Sequence, residues 1–99
     1  MYFIVTEVRP VEGSAVAAKY SEGAVSCWVR TDAFEFALER GRKFIEESGQ
    51  WSVVRTIECF LVSEEDYEPD DPYLKYFQQA IVDEEVCVIY AVPREESQS

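Results

Sequence analysis

Acidic side chains are concentrated in one short stretch of the sequence. Residues 64–71 read Glu-Glu-Asp-Tyr-Glu-Pro-Asp-Asp, with six carboxylates in eight positions. Such a run can hold calcium or magnesium, but the calcium-loop spacing, with its central glycine and terminal glutamate, is absent. We therefore expect a solvated loop that ends in a helix cap, with no metal and no cofactor. The alternative is a docking surface for a basic protein, which would contact Glu64, Glu65, Asp66 and Asp70.

Groups suited to nucleophilic or acid-base catalysis are scarce in this chain. It has no histidine, and it has neither a nucleophile-elbow nor a phosphate-loop glycine pattern. A cysteine activated by Arg30 or Arg55 remains conceivable, since a nearby cation favours the thiolate. These residue types leave enzymatic activity uncertain but weigh against it. We expect Arg55 to pair with Glu58 or Glu7, with an anion contact as its alternative role.

Aromatic side chains offer a second kind of chemistry, which is ligand binding. Trp28, Tyr73 and Tyr76, with Arg55 as the polar group, form a candidate pocket between the predicted sheet and the second helix. The alternative is ordinary core packing, which is the commoner role of aromatic residues at such spacings. Phe36 is separate, because helical spacing places it on the polar side of the first helix, where we expect a partner contact or simple exposure. The full aromatic set is Trp28, Trp51, Tyr73, Tyr76 and Phe77.

The cysteines indicate a reducing environment. Cys27, Cys59 and Cys87 are odd in number, lie in apolar runs and lack the Cys-x-x-Cys spacing of zinc and redox motifs. We expect free thiols that act as small hydrophobic side chains. No signal-peptide pattern opens the sequence, and no apolar run approaches the roughly 20 residues that span a bilayer. These features predict a cytoplasmic protein with no membrane association.

The negative charge is unevenly distributed along the chain. Of the formal net charge of −11, residues 1–60 contribute −2 and residues 61–99 contribute −9. A surface of this sign repels phosphate, so direct binding to nucleic acid or to an anionic membrane is disfavoured. A basic protein is a compatible partner. One hypothesis is therefore an inhibitor or immunity-type protein that docks onto a basic partner or imitates the charge of nucleic acid.

One helix is defined clearly by the sequence. It begins at or next to Asp32, has Glu35 at capping-box spacing and ends at Gly49. Its apolar stripe includes Gly41, and a glycine in mid-helix costs about 1 kcal/mol relative to alanine. We therefore expect this helix to approach a strand closely at Gly41. The stripe as a whole consists of Phe34, Ala37, Leu38, Gly41, Phe44 and Ile45.

Four strands and a second helix complete the predicted domain. The predicted strands cover residues 2–8, 24–30, 51–62 and 85–92, and the second helix covers residues 72–83. Residues 11–20 have no clear assignment. With 99 residues the chain can form one hydrophobic core. We predict a single α+β domain over residues 1–93 and a flexible tail at residues 94–99.

The order β-β-α-β-α-β suggests an architecture and, through it, a function. Connections through helices favour parallel strands, so we predict a mixed four-stranded sheet of ferredoxin-like character, with both helices mainly on one face. The other face would then expose more apolar surface than a monomer usually does. Our leading hypothesis is protein-protein association as a homodimer through that face. The acidic inhibitor and the small-ligand pocket are the alternatives.

Overall fold

The computed structural model describes residues 1–94, which form a small α+β fold in the predicted element order. The predicted tail lies outside the described residues except for Arg94. No helix in this part of the chain has both the length and the apolar character needed to cross a membrane. The strands are β1 (Tyr2–Pro10), β2 (Tyr20–Val29), β3 (Trp51–Leu61) and β4 (Glu85–Pro93), the helices are α1 (Phe34–Glu47) and α2 (Leu74–Asp83), and 3-10 turns cover Val16–Ala18 and Glu64–Asp66.

Every neighbouring pair of strands is antiparallel, in the order β3-β1-β2-β4. The prediction of a mixed sheet is therefore wrong. It assumed that strands joined by a helix become neighbours. The strands β2 and β3, which α1 joins, do run in the same direction, but β1 lies between them and pairs with both. The strands β3 and β4, which α2 joins, occupy opposite edges of the sheet.

The two helices lie on opposite faces of the sheet, so the predicted placement of both on one face is also wrong. Gly41 of α1 lies over Ile4 and Cys27. The ring of Tyr76 in α2 lies 5.2 Å from the ring of Trp28, between centroids. Because Cys27 and Trp28 are consecutive in β2, their side chains point to opposite faces, which we call the α1 face and the α2 face. The predicted ferredoxin-like character is not confirmed, and neither the mixed sheet nor the one-sided helices that accompanied that prediction are present in residues 1–94.

Strand β2 explains why both faces are covered. Cys27, Trp28 and Val29 are at most 2 % exposed, so this strand needs a packing partner on each side. On the α1 face the buried cluster consists of Ile4, Val8, Val25, Cys27, Val29, Ala37, Ile45 and Trp51. On the α2 face it consists of Trp28, Phe77 and Ala80. The second cluster is smaller and covers only the β2 and β4 side of its face, which leaves the β1 and β3 side more open.

The first helix begins slightly later than predicted, and Asp32 does not cap it. The helix starts at Phe34, and no side-chain cap is present at its N-cap residue Ala33. The amide of Ala33 instead donates a hydrogen bond to Oγ1 of Thr31 at 3.0 Å. This bond forms a turn just before the helix and leaves the amides of the first helical turn without a side-chain cap.

Gly41→Ala is expected to stabilise the protein by about 0.5–1 kcal/mol, because alanine is the better residue in a helix interior. A Cβ added at Gly41 would lie 3.8 Å from both Cys27 Sγ and Ile4 Cδ1, which is ordinary van der Waals contact. The close approach predicted at this glycine is therefore not tight enough to exclude a methyl group. Urea denaturation of the two proteins measures the difference. A lower midpoint for the variant would contradict the packing described here.

Candidate functional site

A cavity on the α2 face is the candidate functional site. It has a volume of about 290 Å3 and lies between the β1 and β3 side of the sheet and the segment that joins β3 to α2. We call it the aromatic pocket. Its lining consists of Phe3, Trp28, Phe60, Val62, Asp66, Tyr67, Asp71 and Tyr73.

The sheet register places three of these aromatic side chains in one row. Phe3 of β1 is paired with Trp28 of β2 on one side and with Phe60 of β3 on the other. Directly paired residues on neighbouring strands point to the same face. The ring centroid of Phe3 lies 5.0 Å from that of Trp28 and 5.5 Å from that of Phe60. The row therefore crosses three strands and forms the sheet side of the pocket.

Trp28 is the floor of the pocket and is held in place by a hydrogen bond. Only 1 % of it is exposed, and its Nε1 donates to the hydroxyl of Tyr67 at 2.9 Å. A buried indole N–H needs such a partner. Burial raises the pKa of Tyr67, the hydrogen bond from Trp28 opposes this effect, and Asp71 and Asp66 add to it. Tyr67 therefore stays a neutral acceptor at physiological pH.

The walls of the pocket remain open to solvent. Phe60 is 46 % exposed and Tyr73 is 42 % exposed, although both are large apolar rings. The centroid of Tyr73 lies 6.1 Å from that of Trp28. A ligand placed between these rings would cover apolar surface that folding leaves in water, which is favourable by about 25 cal/mol per Å2.

Two carboxylates are the charged groups of the pocket lining. Asp66 Oδ2 accepts a hydrogen bond from the amide of Ser63 at 2.8 Å, and Asp71 Oδ1 accepts one from the amide of Tyr73 at 2.8 Å. These contacts are local to the acidic segment, whereas the hydrogen bond from Trp28 to Tyr67 connects the segment to the sheet. Within residues 1–94, no protein donor contacts the second oxygen of either carboxylate. The acidic run thus stabilises its own loop through these hydrogen bonds, and it places negative charge beside the aromatic rings.

The predicted pocket residues are only partly brought together. Trp28 and Tyr73 line the pocket, and Tyr76 packs on Trp28 without lining it. Arg55 is elsewhere, because its Nε contacts Oε1 of Glu7 at 2.8 Å. This ion pair is one of the two that the sequence predicted. The polar groups of the pocket are therefore acidic rather than basic.

Sequence reasoning missed Phe3, Phe60 and Tyr67. Phe3 and Phe60 looked like ordinary strand residues, and only the register across β1 reveals that they meet. Tyr67 carried a usable signal, since it is the one aromatic residue in the acidic run of residues 64–71. Trp51, which the predicted aromatic set included, lies in the cluster on the opposite α1 face.

The acidic residues predicted to contact a partner differ in their availability. Glu64 accepts a hydrogen bond from Nε2 of Gln78 at 3.2 Å, and Asp66 holds its own turn together. Glu65 and Asp70 are exposed. Docking of a basic protein stays a prediction, and neutralising Glu65 and Asp70 would test it without disturbing the turn.

Phe36 is 53 % exposed and does not line the cavity that includes Asp66 and Asp71. It borders a polar cavity of about 390 Å3 beside the ion pair between Arg40 and Glu85, whose Nε to Oε1 distance is 2.8 Å. The interaction is bidentate, since Arg40 Nη2 also contacts Glu85 Oε2 at 2.9 Å. This ion pair connects α1 to the first residue of β4. A contact between Phe36 and a partner stays a prediction.

A further cavity lies between α1 and β3. It has a volume of about 360 Å3 and is lined by Thr6, Glu35, Leu38, Glu39, Arg42, Val53 and Thr56. Its lining contains charges of both signs and no aromatic ring. Nothing in this lining favours one class of ligand, and the aromatic pocket is the stronger candidate.

The cysteines are free thiols in the structure. Cys27 and Cys87 are directly paired across β2 and β4. A hydrogen bond with Cys87 and burial raise the pKa of Cys27, and burial raises that of Cys59. A raised pKa disfavours the nucleophilic thiolate. Within residues 1–94, no three carboxylate or thiol side chains converge into a group that could hold a metal ion.

Comparisons with known proteins add no family to this description. The chain shows no match to a family model, to a curated protein or to a solved structure. The functional argument therefore depends on the geometry of the pocket and of the sheet edges.

Proposed function

We propose that this protein works by binding a small organic ligand in the aromatic pocket. The observation that supports the proposal is the half-exposed state of Phe60 and Tyr73 around a fully buried Trp28 floor. A concave site with apolar walls and a few polar groups at its edge is the usual form of a small-molecule site. Here the charged groups are Asp66 and Asp71, and Tyr67 and Tyr73 add hydroxyl groups.

The two tryptophans allow a direct test of this proposal. Trp28 lines the pocket and Trp51 lies on the opposite face, so the indole N–H signals of the two residues report separately in a 1H-15N NMR spectrum. We expect ligands found by thermal shift to raise the melting temperature and to move the Trp28 signal while the Trp51 signal stays in place.

A variant pair strengthens the test. Phe60→Ala removes a pocket wall, whereas Ile57→Ala removes a side chain of similar exposure on the same strand outside the pocket lining. Ligands should lose affinity for the first variant and keep it for the second. A panel in which no compound moves the Trp28 signal, or in which both variants bind equally well, would contradict ligand binding at this site.

A second candidate function is self-association, for which the structure suggests a different surface from the one that the sequence predicted. Edge strands of natural sheets are commonly protected by bulges, charges or prolines. The edge strand β3 has two register shifts and carries Arg55 and Glu58. The edge strand β4 has no charged residue and no proline from Val86 to Val92. Its side chains Ile89, Tyr90 and Val92 are 39–46 % exposed.

We propose that two copies pair through β4 in an antiparallel, two-fold arrangement centred on Ile89. In that register Val88 would lie opposite Tyr90, and Val86 opposite Val92, so every pair is apolar and no like charges meet. The two sheets would then continue into each other across the interface.

Light scattering on a size-exclusion column tests this arrangement. We expect twice the chain mass for the wild type and one chain mass for Ile89→Lys, because a lysine on the two-fold axis faces another lysine. Val54→Lys on the edge of β3 is the matched control and should remain a dimer. Ile89→Cys should form a disulfide between chains under mild oxidation, since directly paired Cβ atoms lie about 4.5–5.5 Å apart and need to approach by only about 1 Å to reach disulfide geometry. A monomeric wild type would end the proposal.

A further inference from the structure

We propose that the aromatic pocket selects a methylated ammonium group, as found in quaternary ammonium compounds. This inference rests on the proposed ligand binding and adds the chemical class of the ligand. It is carried by the aromatic rings of the lining and by the sign of the charges beside them.

Aromatic rings attract cations over their faces. A cation within about 6 Å of a ring centroid gains about 0.5–2 kcal/mol, and the gain is largest where water is excluded. The pocket places the partly exposed rings of Phe3, Phe60 and Tyr73 around one cavity, above the buried ring of Trp28. Several rings can therefore contact one cation at the same time.

An ammonium group of the protein itself already lies over an aromatic ring beside the pocket. Lys75 Nζ lies 5.1 Å from the ring centroid of Tyr76. The centroid of Tyr76 in turn lies 6.2 Å from that of Tyr73, which lines the pocket. This contact lies outside the pocket lining, on a ring next to that of Tyr73, and is the same type of interaction that we assign to the ligand.

The charges of the lining favour a cation over an anion or a neutral group. Asp66 and Asp71 are the charged residues among those that line the cavity. The net charge of −9 over residues 61–99 gives this end of the chain a negative potential that attracts cations from solution. An anionic ligand would meet both repulsion and the negative faces of the rings.

Methylation fits the apolar character of the walls. A primary ammonium carries three N–H donors, and any of them directed at the rings or Val62 rather than at Asp66 or Asp71 would lose a hydrogen bond to water without gaining an acceptor. A quaternary ammonium has no N–H donor to satisfy, and its methyl groups bury well against aromatic carbon. The pocket should therefore prefer the methylated cation to the free amine.

The decisive experiment compares two ligands of the same shape. Choline and 3,3-dimethyl-1-butanol differ in the replacement of the charged nitrogen by carbon. NMR titration of the wild-type protein, followed through the Trp28 indole signal, should give a dissociation constant about 3- to 30-fold lower for choline. The Trp51 signal should not move in either titration. Raising the salt concentration should weaken choline binding and leave the neutral compound unchanged.

A variant pair tests whether a ring is responsible. Phe60→Leu keeps an apolar wall but removes a ring face, so the preference for choline over its neutral analogue should shrink about 2- to 5-fold. Phe36→Leu makes the same change at an exposed ring on α1 and should leave the preference unchanged. A trimethyllysine peptide presents the same trimethylammonium group on a polypeptide. Tighter binding of choline would indicate a free small molecule as the ligand, and tighter binding of the peptide would indicate a methylated protein.

The outcomes separate this inference from the proposed function. Equal binding of choline and the neutral analogue would retain the pocket as a ligand site and overturn the selection of a cation. The same conclusion would follow if neither compound bound while another compound moved the Trp28 signal. If no compound of any kind moved the Trp28 signal, both proposals would be overturned.

Discussion

Replacing Trp28 with alanine is expected to lower the free energy of unfolding by about 3–5 kcal/mol, the range typical of large aromatic residues in a core. Trp28 is 1 % exposed and is the largest member of the buried cluster on the α2 face. Its ring contacts those of Phe3, Tyr73 and Tyr76 at centroid distances of 5.0, 6.1 and 5.2 Å. Removing it would leave a cavity between the sheet and α2. Urea denaturation followed by circular dichroism measures the loss.

The hydrogen bond of Trp28 can be separated from its packing. Trp28→Phe keeps an aromatic ring and removes the donor, while Tyr67→Phe removes the acceptor hydroxyl. A double-mutant cycle over these two changes should give a coupling energy of about 1 kcal/mol, the usual net value of one hydrogen bond. A coupling near zero would mean that the 2.9 Å contact between Nε1 and the hydroxyl does not contribute to stability.

Gly23→Ala is expected to destabilise the protein by about 2–3 kcal/mol through overpacking. A Cβ at Gly23 would lie 2.9 Å from the backbone oxygen of Tyr90 and 3.1 Å from the ring of Trp51. The first of these contacts is with a neighbouring strand, so a side-chain rotation cannot relieve it. Thermal unfolding should show a clear drop in melting temperature for this variant.

Gly41→Ala is the natural control for Gly23→Ala. Both substitutions add one methyl group at a buried glycine, yet the opposite sign is expected at Gly41, where the nearest atoms are 3.8 Å away. Adding Trp51→Phe to Gly23→Ala should recover little stability, because the contact with the Tyr90 oxygen remains. Equal effects of the two glycine substitutions would contradict the tight strand packing at Gly23.

The helices and strands could be predicted because their signals are local. The stripe from Phe34 to Ile45 repeats every three or four residues, and Gly49, with φ at +71°, follows the end of α1 as expected. The placement of the helices could not be predicted in the same way. Consecutive buried residues such as Cys27, Trp28 and Val29 show that both faces of β2 need cover, but not which helix covers which face.

The pocket was predictable only in part, for reasons that Arg55 illustrates. Regular alternation along β3 places Arg55 on the same face as Trp51 and Val53. Two bulges interrupt β3, one on each side of the residues paired with Thr6 and Glu7, and each shifts the alternation by one residue. Arg55 therefore lies on the α2 face beside Glu7, but it is five residues from Phe60 along β3 and outside the pocket lining. The meeting of Phe3 and Phe60 depends on pairing between distant segments, which a single sequence does not encode locally.

The central position of β1 has a consequence for the synthesis of this protein. Tyr2 pairs with Leu61, and the amide of Val62 donates to the carbonyl of Met1 at 2.9 Å. During synthesis β1 (Tyr2–Pro10) therefore lacks one neighbour until β3, which begins at Trp51, has also been made. Contacts between such distant segments form slowly, and strand edges promote aggregation for as long as they are unpaired. Until β3 has been made, the nascent chain exposes the edge of β1 that will become the middle of the sheet.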